Sequence, residues 1–357
     1  MRIHPAALPF AVFVTTLAAQ SPLQQRAEAA VKRVSAQIPG LSLAVVVDGR
    51  IAFANGFGSM APAGSRPVTA DTQYRIASVS KPLTAVAVFK LVEQGRIDLD
   101  RPARDYCLPL AALNGLPTVR HFLTHQSGMR HTSDDEDENI HGAPANLAAS
   151  LAGIVKEKLR FTPGQQTLYT SWGYTVLGCS IETVSGQTYA SFLQEHVLKP
   201  AGMTGTTFDA PDYRSPQFSQ GFRIVRSKFQ PSIIVDTRFK MPSSGVISTV
   251  NDLARFAIAL FDRKLLPDAQ FRQMITAPSR PGGEAAAFTA GWTVGRPDPS
   301  GARFSYNGSM EGTTAFLAIV PERRTAVALL ANRERFVPEV APMVSEMLQA
   351  ALEMPRR

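Results

Sequence analysis

Cysteine, tryptophan and charge are scarce in this chain: of 357 residues two are Cys, two are Trp, and 18% are charged. Two cysteines exclude a disulfide-dense scaffold and every multi-cysteine zinc or iron–sulfur module. No long basic tract occurs. The 37 Lys and Arg set against 29 Asp and Glu give a net +8 that is scattered along the chain, which argues against a nucleic-acid partner. No apolar run reaches the roughly 20 residues of a membrane-spanning helix, so no stable membrane span is expected. The nearest approach is Ala6 to Ala19, which follows Arg2 and ends in the small residues Ala18 and Ala19. It reads as a signal peptide over residues 1–19, with the protein secreted or periplasmic; an uncleaved anchor and an organelle-targeting leader are the alternatives. What the chain does have is 45% hydrophobic residues. Over this length they support a substantial core and an expectation of about two domains.

Leu41–Val47 and Ile51–Phe57 are β-rich runs joined through Asp48-Gly49, a hairpin signal. Helical spacing follows over Ser80–Gln94, and the middle of the chain reads as helices over Leu147–Leu159, Trp172–Val184 and Tyr189–Val197. Asn251–Phe261 is a further helix. Strand-like runs at Ala290–Val294, Phe304–Tyr306, Thr314–Val320 and Thr325–Leu330 precede a closing helix over Pro338–Leu352. This order implies an α+β protein with one sheet built from both chain ends. The expected division is a discontinuous sheet domain over 20–75 and 240–357, with a mainly helical insertion over 76–239.

Three short patterns can carry chemistry. Ser78 and Lys81 stand i, i+3 at the start of a predicted helix, on one face. A serine hydroxyl is a weak nucleophile until a neighbouring base takes its proton, and a lysine held near a helix N-terminus is able to do so. Tyr169-Thr170-Ser171 leads into the Trp172 helix. A tyrosine beside a lysine can act as a phenolate base, and Ser171 can hydrogen-bond the lysine or a substrate amide; in isolation the pattern is also that of a core tyrosine before a capping serine. Tyr306-Asn307-Gly308-Ser309 closes a strand, where a glycine admits a substrate along the strand edge and the following N–H can face an oxyanion. Leu123-Thr124-His125-Gln126-Ser127-Gly128 carries no chemistry by its spacing.

In this order the patterns resemble the serine β-lactamase and penicillin-binding-protein superfamily, in its class C β-lactamase-like branch of esterases, D-peptidases and mitochondrial β-lactamase-like proteins. Arg75 to Lys81 looks like the nucleophile motif of that branch, and Leu123–Gly128 like its T-H-x-S-G element. Tyr169–Ser171 is similar to Y-x-N/S/T, Ser248-Thr249 with Asp252-Leu253 to S-T-x-x-D-L, and Tyr306 onward to the K/H-T-G strand. The resemblance spans roughly residues 25–352. It implies a β-lactamase/transpeptidase-like fold with an antiparallel sheet, Ser78 as nucleophile and Lys81 with Tyr169 as the proton-transfer pair. It also implies an oxyanion hole from the N–H groups of Ser78 and Ser309, and no metal or cofactor. Two departures stand out. Tyr306 occupies the place of a cation that would hold a substrate carboxylate, and Ser171 replaces an asparagine. Arg333 and Arg335, just past the last strand, are the first candidates to restore that charge.

The expected function is therefore a secreted serine hydrolase acting on an ester or amide through an acyl-enzyme on Ser78, of esterase or D-amino-acid peptidase type. A β-lactamase and a catalytically silent protein binding cell-wall peptides are the alternatives. The partner is then a small-molecule or peptide substrate, and the oligomeric state is open. Other signals are set aside. Gly56-Phe57-Gly58 lacks the following helix of a dinucleotide site. His121, His125, His131 and His141 lack a zinc motif and read as structural. The acidic run 134–138 reads as a solvated loop near the cleft. Cys107 reads as an exposed thiol and Cys179 as a buried one; secretion would permit a bridge between them, although nothing in the spacing predicts it.

Overall fold

The computed structural model describes residues 21–61, 66–133, 136, 140, 142–279, 286–295, 299–334 and 340–355. The signal-peptide expectation therefore lies outside the described residues. Asp48 and Gly49 turn the chain with positive φ (50° and 74°), the geometry a tight hairpin demands. The turn pairs β1 (Gly40–Val47) with β2 (Arg50–Gly58). After the middle of the chain come β8 (Phe288–Thr289), β9 (Trp292–Val294), β10 (Phe304–Met310), β11 (Thr313–Val320) and β12 (Thr325–Ala331). These close a seven-stranded antiparallel sheet in the order β2-β1-β12-β11-β10-β9-β8. The pairing of β1 with β12, Leu43 opposite Leu329, joins the two chain ends. Gly56 and Gly58 lie within β2 and lead into no helix.

Successive strand residues face opposite sides, and in β1, β11 and β12 both sides are buried. Leu41, Leu43, Val45, Val327 and Leu329 face α1 (Pro22–Val34) and the closing helix α5 (Val340–Leu352). Ala44, Val46, Leu317, Ala328 and Leu330 face the opposite way, into the larger core shared with the helical middle of the chain. At the centre of that core is α2 (Ser80–Glu93), whose Leu83, Val86, Val88, Phe89 and Leu91 are all buried. A helix apolar on every side is an interior helix, and this one is surrounded by protein. Beside it runs α3 (Ser171–Ser185), while α4 (Val250–Phe261) packs on β1 and β12; each is started by a threonine that accepts a backbone N–H: Thr170 from Gly173, Thr249 from Asp252.

Several elements differ from the sequence expectation. Leu147–Leu159 is not one helix. It is a turn of α-helix at Leu147–Ser150 and a 3₁₀ turn at Ile154–Lys156, interrupted at Gly153, a poor helix former. A small sheet of β3 (Tyr74–Arg75), β7 (Val246–Ser248) and β4 (Thr207–Phe208), and a hairpin of β5 (Phe222–Val225) and β6 (Lys228–Pro231), are additional. Cys107 and Cys179 are both buried and are joined in a disulfide, correcting the reading of one exposed and one buried thiol. The bridge ties the loop that follows α2 to the middle of α3. Among the described residues no helix is long and apolar enough to cross a membrane.

Candidate active site

The nucleophile position is built by a strand and a strained turn. Tyr74 and Arg75 pair with β7, and Ile76 N–H continues that pairing onto the Val246 carbonyl. Arg75 is anchored through Nε to Asp209 at 2.8 Å, and Asp209 also accepts from Thr237 Oγ1 at 3.0 Å. Ala77 then takes φ 45°, a left-handed conformation uncommon outside glycine, and Ser80 Oγ donates to the Ala77 carbonyl at 2.7 Å to hold it. This turn presents Ser78 just ahead of α2.

Lys81 lies one turn on, completely buried. Its Nζ reaches Ser78 Oγ at 3.0 Å, the Ser243 carbonyl at 3.1 Å and Ser171 Oγ at 3.5 Å. Ser78 Oγ is also 2.6 Å from Tyr169 Oη. Lys81 Nζ sits 4.9 Å from the centroid of the Tyr169 ring. Tyr169 is wedged between rings, 4.6 Å from His125 and 4.9 Å from His131. Ser171, the first residue of α3, donates its N–H to His131 Nδ1 at 3.0 Å.

The β10 strand forms the opposite wall. Tyr306 and Gly308 are buried, while Asn307 and Ser309 are exposed toward the cleft. A Cβ on Gly308 would lie 2.5 Å from the Ile76 carbonyl oxygen and 2.9 Å from Ser78 N, so only glycine lets β10 run this close to the nucleophile turn. Tyr306 does not offer its hydroxyl to the cleft as an unengaged group. Its Oη lies 2.9 Å from His125 Nε2. Burial pushes the Tyr306 phenol well above its ordinary range. Burial first, then the charges of Lys81 and His131, hold the His125 imidazole well below its ordinary value, so it is neutral near pH 7.

The cleft holding these groups has a volume of about 470 Å³. All eight expected site residues except Gly308 line it or, for Lys81, reach into its floor at Ser78. Sequence reasoning missed His125 and His131 as parts of the site, although His125 belongs to a motif already singled out. It also missed Lys240, which lines the cleft, and the Ser243 carbonyl that anchors Lys81. Of the two arginines suspected of replacing the lost cation, Arg335 lies outside the described residues and Arg333 does not line the cleft. His121 instead closes a capping box with Thr118, and His141 lies outside the described residues. Within the acidic run only Glu136 is described. It is not a solvated charge but is paired with Arg130, which also grips Glu157. A larger hollow of about 640 Å³ beside Arg66, Arg75 and Arg214 holds none of the expected site residues.

An antiparallel sheet made from both chain ends, with an Ser-x-x-Lys helix opening against one of its strands, is the β-lactamase/transpeptidase-like fold. The chain belongs to the beta-lactamase family, whose model matches residues 23–352; the superfamily is one of serine hydrolases. Protein flp of Staphylococcus aureus (strain MW2) is 24% identical over 314 residues, 85% of this chain but only 61% of that protein. The octameric penicillin-binding protein homologue from Pyrococcus abyssi superposes with a TM-score of 0.80 at 24% identity, covering 93% of this chain and 77% of its own. EstCE1, a hydrolase with promiscuous acyltransferase activity, superposes with a TM-score of 0.78 at 19% identity, covering 92% and 98%.

Proposed function

We propose that the protein is a secreted serine hydrolase that cleaves an ester or amide through a covalent acyl-enzyme on Ser78, of esterase or D-amino-acid peptidase type. The observation that carries this reading is the meeting of Ser78 Oγ with Tyr169 Oη at 2.6 Å and with Lys81 Nζ at 3.0 Å. Tyr169, beside Lys81, takes the Ser78 proton as Oγ attacks the substrate carbonyl carbon. The carbonyl oxygen becomes an oxyanion held by the N–H groups of Ser78 and Ser309. Tyr169 then returns the proton to the departing alcohol or amine. Water, deprotonated by the same pair, breaks the Ser78 ester and restores the enzyme.

A neutral phenol at Tyr306, already engaged by His125, supports neutral acyl esters over substrates recognised by a carboxylate. The β-lactamase alternative therefore ranks second, and the assembled Ser78, Lys81 and Tyr169 weigh against a silent binding protein. Secretion is supported by the apolar leader and by the Cys107–Cys179 bridge, which persists in oxidising compartments. The test is mass spectrometry after treatment with a fluorophosphonate or penicillin. An adduct on Ser78 is expected, absent from Ser78→Ala, and an unlabelled Ser78 would refute the reading.

A further inference from the structure

We propose that the hollow beside Arg66, Arg75 and Arg214 is a second ligand site, separate from the reaction cleft, and that it takes a small amphipathic molecule carrying an anionic group on an aromatic body.

The hollow is enclosed by residues between 211 and 221, by the stretch 231–234 that follows the β5–β6 hairpin, and by Arg66 and Arg75. Its volume of about 640 Å³ lies within the roughly 300–1,000 Å³ of small-molecule sites. It shares no lining residue with the reaction cleft. Gly221, part of its lining, meets Gly312 at the β10–β11 turn so closely that a Cβ on Gly221 would stand 2.4 Å from the Gly312 Cα. The residue before Gly312, Glu311, lines the cleft. Backbone in contact with backbone therefore stands between the two compartments.

The charge of the hollow is positive and largely uncompensated. Among the described residues that line it there is no Asp or Glu. Arg75 is neutralised, its Nε 2.8 Å from Asp209, and its guanidinium lies 5.5 Å from the centroid of the Phe218 ring. Arg66 and Arg214 are anchored by carbonyl oxygens instead. Arg66 Nη2 donates to the Pro216 carbonyl, and Arg214 Nη1 donates to the carbonyls of Tyr213 at 2.8 Å and Pro211 at 3.2 Å. A carbonyl fixes a guanidinium in place without cancelling its charge. Neither arginine has a carboxylate partner among the described residues, and each keeps two nitrogens for a ligand: Nε and Nη1 of Arg66, Nε and Nη2 of Arg214.

The walls supply the other half of the recognition. Phe218 and Tyr213 stand edge to face with ring centroids 5.3 Å apart, and Ile233 and Ile234 are 41% and 55% exposed. Apolar walls with a few placed polar groups are the composition of a small-molecule site. A guanidinium fork matches carboxylate and phosphate oxygens alike. An inorganic anion would meet the arginines and leave the walls wet, whereas a neutral hydrocarbon would cover the walls and leave the charges unanswered. An aromatic anion satisfies both.

The probe is 1-anilinonaphthalene-8-sulfonate, an aromatic anion whose fluorescence rises on leaving water, titrated into the full chain. Displacement by 2-naphthoate, 2-naphthyl phosphate and 2-naphthamide, which share one aromatic body, isolates the anionic group; the more effective of the two anions identifies it. The neutral amide is expected to need about tenfold more than either. Arg66→Gln and Arg214→Gln are each expected to weaken probe binding about fivefold, and the double variant about twenty-five-fold, the upper scale of exposed ion pairs. Ile234→Glu, at a position exposed enough to accept a charge, is expected to weaken it about tenfold by setting a like charge in the hollow. All of these variants should keep the wild-type circular dichroism spectrum and the wild-type kcat/KM for p-nitrophenyl butyrate, because none of the three residues lines the cleft. Displacement by the amide as readily as by the two acids would reveal a bare apolar patch and overturn the proposal. Unchanged probe affinity in the double arginine variant would overturn it as well, and a changed kcat/KM in either single arginine variant would refute the separation from the cleft.

Discussion

Replacing Gly308 by alanine adds one carbon at the place where β10 meets the nucleophile turn. That carbon would stand 2.5 Å from the Ile76 carbonyl oxygen and 2.9 Å from Ser78 N, against an ordinary contact of 3.4 Å or more. Both neighbours are backbone, so no side chain can swing aside. Strand and turn must separate by about 1 Å, the difference between ordinary contact and the 2.5 Å approach. Gly308 does not have a positive φ, so alanine brings no torsional penalty, and the perturbation is steric alone. Overpacking of this kind costs roughly 1–3 kcal/mol of stability. A misplacement of about 1 Å among reacting groups costs on the order of 10² in rate. The expected outcome for Gly308→Ala is therefore a folded protein of lower Tm whose kcat/KM for p-nitrophenyl butyrate falls about a hundredfold. Circular dichroism and steady-state kinetics on the same preparation separate the two effects. A variant that keeps wild-type kcat/KM would show that β10 forms no part of the reaction site, and the oxyanion role given to Ser309 would fall with it.

Further expectations concern the nucleophile, the bridge, the acidic pair and the chain start. Ser78→Ala should lose all fluorophosphonate labelling, and Lys81→Ala should lower ester turnover by about 10²–10⁴ while keeping the native circular dichroism spectrum; normal turnover in either contradicts the assignment. The disulfide closes a 72-residue separation, for which the chain-entropy model assigns about 4 kcal/mol. Urea unfolding with and without reductant should show a loss of that order, and overlapping curves would refute it. Glu136, gripped by Arg130, is pulled down to about 2 from 4.5, so its contribution is present above pH 4.5 and is lost as pH falls through about 2. Unfolding free energies measured across that window should therefore decline less steeply in Glu136→Gln than in wild type. N-terminal sequencing of the exported protein should begin near Gln20 or Ser21; residues 1–19 retained on a cytoplasmic protein would overturn the secretion proposal.

The local patterns were legible because their physics is local. Ser78 and Lys81 meet through one turn of chain, so i, i+3 spacing was enough to pair them. The helix starts at Thr170 and Thr249 are set by equally local bonds to residues three positions on, although the sequence pattern pointed to Ser171 as the cap of α3. The β1–β2 hairpin is written in Asp48-Gly49, and β11 and β12 in runs whose two faces are both apolar. Leu147–Leu159 misled because Gly153 interrupts an otherwise helical spacing, and propensity at one position decides little without its surroundings.

What the sequence by itself determined about this protein is the order of its elements, the Ser78–Lys81 pair and the family whose motifs it carries. The tertiary structure alone decided what His125, Tyr306, Gly308 and the cysteines do. His125 and Tyr306 lie 181 residues apart and meet only in the folded chain, 2.9 Å from each other. Gly308 is required by a carbonyl on another element, and the need for a missing side chain leaves no pattern along the chain. Cys107 and Cys179 become partners when α3 packs beside the loop after α2. Each of these depends on distance in space between distant segments, a quantity that one-dimensional spacing does not contain.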